Sequence, residues 1–144
     1  MSVASKRSVR VQLHSVQTDP YGDTCNLVEE YAGHLYDRPS ERYIVFEEPG
    51  PRVTTAYKIK PGELHITRRG TISGTYAFRE GDWDYCQCEI AEGWLDLRSR
   101  TRHLESRFDD GGGHLHLEYE LWSGEELLGD FKLKLVFESL GEAD

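Results

Sequence analysis

The chain has 144 residues, 30% of them charged, and a formal net charge of −9. That length suffices to bury one core without a disulfide or metal staple, and the acidic balance opposes general binding to nucleic-acid backbones or to anionic membranes. No apolar run approaches the roughly 18–20 residues of a membrane span, and the opening MSVASKRSVRVQL is too polar for a signal peptide.

Three cysteines, Cys25, Cys86 and Cys88, form an odd number without framework spacing. This fits a reducing compartment, so the expected location is the cytoplasm. Aromatic residues make up 11% of the chain, and fourteen glycines punctuate short segments, the profile of an ordered domain. Residues 1–144 read as one domain, with no internal repeat, no linker and an acidic GEAD end expected to fray.

The dominant period along the chain is two, the signature of strands with one dry and one wet face. Candidate strands begin at 8–17 and 24–36, separated by Asp-Pro-Tyr-Gly at 19–22. On the second, Leu27, Glu29 and Tyr31 share a face, so Glu29 becomes a buried carboxylate if that face is internal. A third strand spans 42–48 and ends at Glu47 and Glu48, which alternate sides. After Pro-Gly-Pro at 49–51 come strands 53–60 and 63–69, joined by Pro61-Gly62. A two-residue turn there sets Lys60 opposite Glu63, Ile59 opposite Leu64, Tyr57 opposite Ile66 and Thr55 opposite Arg68. The apolar pairs make this the inner face, so Arg68 and Thr55 point inward while Lys58, His65 and Arg69 point out.

Strand 72–79 places Ile72, Gly74, Tyr76 and Phe78 inside, and strand 84–91 places Cys86, Cys88 and Ile90 inside. Strand 94–108 turns Leu95, Leu97, Ser99, Thr101 and His103 inward and Arg98, Arg100 and Arg102 outward. Glu89, Glu118 and Glu120 on neighbouring strands are expected to pair with that arginine stripe. Strand 114–122 is the clearest alternation, with Leu115, Leu117, Tyr119 and Leu121 on one face. Strand 126–138 repeats it with Phe131, Leu133, Leu135 and Phe137.

Sequential long strands joined by tight turns predict a closed, antiparallel up-and-down β-barrel of about eight to ten strands, all-β throughout. Several segments also carry a family resemblance: Tyr-Ile-Val-Phe-Glu-Glu (43–48), Thr-Ala-Tyr-Lys-Ile (55–59), Ile-Thr-Arg-Arg-Gly (66–70), Phe-Arg-Glu-Gly (78–81) and Leu-His-Leu-Glu-Tyr-Glu-Leu (115–121). As an ordered set they resemble the YwiB-like bacterial family, a domain of unknown function. The resemblance implies a calycin, lipocalin-like barrel and no particular activity. Positions matching the family include Glu47, Thr55, Lys58, Arg68, Gly70, Gly93, Thr101 and Tyr119. The Cys pair at 86 and 88 departs from it.

An arginine on an apolar barrel face needs a partner, because an unpaired buried charge is costly. Glu29 and Glu47 are the internal carboxylates considered for Arg68, and a ligand's anionic group is the alternative. The expected function is non-catalytic binding of a small amphipathic or anionic molecule inside the barrel. Arg68, Thr55, Tyr76, Thr101, Tyr119, Glu29 and Glu47 are the lining candidates. Two other classes stay open: a structural or protein-interaction barrel with a packed interior, and an isomerase- or hydrolase-type enzyme using Arg68 with a buried carboxylate. No cofactor or metal is expected. Cys86-x-Cys88 and His114-x-His116 lack further ligands at diagnostic spacing, and no nucleophile elbow is present. The expected partner is a small molecule rather than nucleic acid or membrane, with the chain a monomer or homodimer.

Overall fold

The computed structural model describes residues 5–38, 40–109 and 111–140; the GEAD end lies outside these. Ten strands follow one another in the chain: β1 (Ser5–Thr18), β2 (Thr24–Arg38), β3 (Glu41–Glu48), β4 (Val53–Lys60), β5 (Glu63–Gly70), β6 (Gly74–Arg79), β7 (Trp83–Ile90), β8 (Gly93–Phe108), β9 (Gly112–Ser123) and β10 (Glu126–Ser139). They form one antiparallel sheet in the order β6-β5-β4-β3-β2-β1-β10-β9-β8-β7. Each strand lies beside its chain neighbour, apart from β6 and β7, and β10 returns to β1.

The ring is nearly closed. Its seam falls between β6 and β7, which share no continuous ladder. Two backbone bonds pair Ser73 with Glu89 across it, and Thr101 exchanges bonds with Gly81 and Asp82. Arg79 reaches across to Asp84 at 2.6 Å.

Alternation decides which side chains meet inside. Val9, Val11, Leu35, Ile44, Ile59, Leu64, Leu115, Leu117, Leu135 and Phe137 are buried together. They fill the half of the barrel that carries the β2–β3, β4–β5 and β8–β9 connections. The β4–β5 hairpin has the register read from its Pro-Gly turn, Lys60 opposite Glu63 through Thr55 opposite Arg68, with Gly62 at φ 71° as such a turn requires.

Two features were not readable from alternation. A bulge in β8 between Thr101 and His103 shifts the register, so Leu104, not His103, packs against the core. His103 stands on the outer wall, its ring edge-on to His116 at 5.2 Å. Leu95, expected inside, is 42% exposed, because it sits at the open end of the barrel where little stands opposite it.

The β2–β3 ladder starts at Gly33 and runs only to Arg38. A Cβ on Gly33 would lie 2.6 Å from the carbonyl oxygen of Val45 and 3.1 Å from Phe46 Cβ. The absence of a side chain on Gly33 therefore leaves room for β3 where the ladder begins. Gly33→Val should lower stability by about 1–3 kcal/mol, as overpacking does, read as a shift of the urea midpoint at unchanged slope. An unshifted midpoint would show that β2 and β3 separate freely there.

Candidate functional site

The turns β1–β2, β3–β4, β5–β6, β7–β8 and β9–β10 gather at the other end of the barrel. There the interior is open, with a cavity of about 330 Å3. This lies within the span of small-molecule pockets, roughly 300–1,000 Å3. Its apolar wall includes Leu13, Phe46, Ile66, Phe78, Leu97 and Phe131, and its polar wall Glu48, Thr55, Tyr57, Arg68, Tyr76 and Tyr119. Cys25 and Leu27 of β2 stand at the lip.

Strand parity builds the polar wall. On β3, Ile44 and Phe46 are buried, so Glu48, two residues on, also turns inward at the strand end. Across β4 it meets the Thr55–Arg68 pair. Arg68 Nη2 lies 3.1 Å from Glu48 Oε2 and 3.3 Å from Oε1. The Thr55 hydroxyl donates to Glu48 Oε2 at 2.5 Å. Glu48 is mostly buried, with 12% of its side chain exposed, against 27% for Arg68.

Aromatic stacking sets the tyrosines around this pair. Phe46 stacks on Tyr31 at 4.9 Å and tilts against Tyr57 at 5.9 Å. Tyr119 packs between Phe78 at 4.7 Å and Phe131 at 5.0 Å. Tyr76 donates its hydroxyl to the Cys88 sulfur at 3.2 Å. The hydroxyls of Tyr57 and Tyr119 make no hydrogen bond to another described residue. Burial pushes the phenols of Tyr57, Tyr76 and Tyr119 well above their ordinary range, so all three remain neutral and able to donate. Burial, then the neighbouring Cys88, pushes the Cys86 thiol up to about 11.

Arg68, Thr55, Tyr76 and Tyr119 line the cavity. Thr101 faces inward and is buried, but in the wall below the cavity, and its hydroxyl is left without a partner. Glu29 is on the inner face beside the cavity, where it accepts the Tyr31 hydroxyl at 2.5 Å, not Arg68. Glu47 is a correction. It is exposed on the outer wall opposite Thr54, because it has the opposite parity to Phe46. The partner of Arg68 is Glu48, which a count by twos from Ile44 and Phe46 would have found. Tyr57, on the inner face opposite Ile66, also lines the cavity.

The arginine stripe on β8 is also organised differently. Arg102 pairs with Glu120 at 3.4 Å and Asp130 at 2.7 Å. Arg98 instead lies over Trp83 at 4.9 Å and Trp122 at 5.5 Å, and Arg100 over Trp83 at 5.8 Å. The register sets Trp83 opposite Arg100 and Arg98 opposite Trp122, so indole faces reach the guanidinium groups before carboxylates do.

Comparison with known proteins bears on the whole barrel. The uncharacterized β-barrel protein YwiB of Bacillus subtilis (strain 168) is 24% identical over 96 residues, covering 65% of this chain and 68% of that protein. The crystal structure of the ywiB protein from Bacillus subtilis superposes with a TM-score of 0.85 at 19% identity, over 96% of each chain. At that identity the likeness shows the fold. The family described as Domain of unknown function (DUF1934) matches residues 11–135, and the chain belongs to that family.

Proposed function

We propose that the open end of the barrel binds a small amphipathic molecule without turning it over. The observation carrying this reading is the cavity of about 330 Å3 with an ion pair and two unengaged tyrosine hydroxyls on its wall. A packed structural barrel would leave no such space. Glu48 compensates the charge of Arg68, which narrows the ligand class. The preferred head group is uncharged and dipolar, accepting from Arg68, Tyr57 or Tyr119 and donating to Glu48. A bare anion would face Glu48 as well as Arg68. The apolar wall takes the ligand's body. Glu48 is tied to Arg68 and Thr55 rather than poised against a nucleophile, which supports binding without chemistry. A cytoplasmic location is part of the same reading, supported by three free cysteines.

Fluorescence of the neutral amphiphile N-phenyl-1-naphthylamine tests the reading. Wild-type protein should enhance it, decanol should displace it, and decanoate should do so at least about fivefold less well, a gap of roughly 1 kcal/mol. Ser15→Trp, which plants a large side chain in the cavity wall, should abolish the enhancement. No enhancement with wild type, together with a clean apo mass by native mass spectrometry, would favour a structural barrel. Preferential displacement by decanoate would return the site to an anion.

A further inference from the structure

Beyond its first ladder pair with β3 at Gly33, the sheet edge of β2 has no partner strand among the described residues. The other side of this segment is fully laddered to β1, from Thr24 opposite Thr18 through Tyr31 opposite Val11. Residues 24–31 therefore present a straight run of backbone donors and acceptors to solvent at every second position. Thr24, Cys25, Asn26, Leu27 and Val28 are all exposed, Leu27 at 51% and Val28 at 63%.

Proteins commonly guard such an edge with charges, proline, a bulge or a covering group. An open stretch of β8 does so. Beyond Arg100, β8 leaves β7, but that stretch carries Arg102, Glu105 and Arg107 and a bulge. The Glu80 carboxylate accepts from the Leu104 N–H at 3.1 Å. Residues 24–28 of β2 carry no charge, no proline and no bulge, and the charges of the open run, Glu29 and Glu30, lie toward its β3 end. This contrast marks the β2 edge as one left open for a strand.

We infer that the occupant is the β2 edge of a second copy of this chain, paired antiparallel about a two-fold axis at Leu27. An antiparallel two-fold perpendicular to the sheet keeps inner faces on one side, so only residues of like parity can oppose. Centring on Leu27 sets Val28 opposite Asn26 of the other copy, Glu29 opposite Cys25 and Glu30 opposite Thr24. No carboxylate faces another. Moving the axis to Asn26 would set Glu29 against Asp23, and a parallel in-register pairing would stack Glu29 on Glu29 and Glu30 on Glu30, which like charges disfavour. Isologous pairing of this kind closes at two copies and does not propagate. Cys25 and Leu27 also line the cavity, so the dimer brings the lips of two cavities side by side.

Sedimentation velocity from about 5 to about 500 μM spans the range in which a small strand-addition interface dissociates. Wild type should pass from monomer to dimer. Leu27→Lys places two ammonium groups across the axis, and Val28→Lys charges the same edge; both side chains are exposed, so folding should survive. Each should weaken the dimer by at least about tenfold. In a Cys25→Ser background, Leu27→Cys should close to a covalent dimer on mild oxidation, because directly opposed residues in an antiparallel pair lie about 4.5–5.5 Å apart at Cα, within disulfide reach. Wild type that stays monomeric throughout overturns the inference. So does a dimer that both lysine variants leave unchanged, or one in which Leu27→Cys does not cross-link.

Discussion

Phe78→Ala should cost about 3–5 kcal/mol of stability, the range for truncating a buried phenylalanine. Phe78 is 2% exposed and sits on β6, which has a ladder to β5 but only a seam toward β7. With little backbone pairing on one side, β6 depends on its inward side chains for its place in the ring. Phe78 also packs on Tyr119 at 4.7 Å and lines the cavity. The void left by truncation would join space already open to solvent. Water can enter it, which places the expected loss toward the lower end of the range. Urea denaturation followed by tryptophan fluorescence measures it, and binding of N-phenyl-1-naphthylamine to the folded variant should weaken as Tyr119 loses its packing partner. A loss below about 1 kcal/mol would mean that the seam closes over the gap and that β6 is held chiefly by its backbone.

Glu48→Gln is the second large effect. It leaves Arg68 on the cavity wall with a neutral amide in place of its charged partner. Removing one member of a fully buried pair costs about 3–5 kcal/mol. Here 27% of Arg68 is exposed, so water can partly replace the carboxylate and a loss of about 1–3 kcal/mol is expected. Thr55 can still donate to the amide oxygen. Arg68→Met leaves the Glu48 carboxylate, the more buried of the two, with Thr55 as its remaining donor and should cost a similar amount, and Arg68→Met combined with Glu48→Gln should be closer to wild type than either single change. The double-mutant cycle isolates the pair. A coupling near zero would show that Arg68 is held by solvent and that Glu48 does not compensate it, and the neutral-head reading of the cavity would lose its basis.

Both predictions depend on residues whose facing was legible to different degrees. Phe78 and Arg68 were placed inward by counting from a turn and an apolar pattern. Glu48 follows from the same count, but the pair Glu47-Glu48 at a strand end gives no apolar residue beyond it to confirm the parity. Glu47 shows how a shift of one residue exchanges the inside of a barrel for the outside. His103 fails for another reason. A bulge adds one residue to one strand and leaves no mark in the alternation before it.

Local chemistry determined the ten strands, their turns, the Lys60–Glu63 hairpin register and the inward direction of Arg68, Thr55, Tyr76 and Tyr119. Each depends on neighbours a few residues away in the chain, on side-chain alternation or on the dihedral demands of Pro-Gly. Tertiary structure alone decided that one half of the barrel fills while the other stays open, that Arg68 meets Glu48, and that β2 leaves β3 beyond Gly33. Those outcomes depend on where strands far apart in sequence end relative to one another. A two-residue period records which side a residue faces, but not what stands across from it.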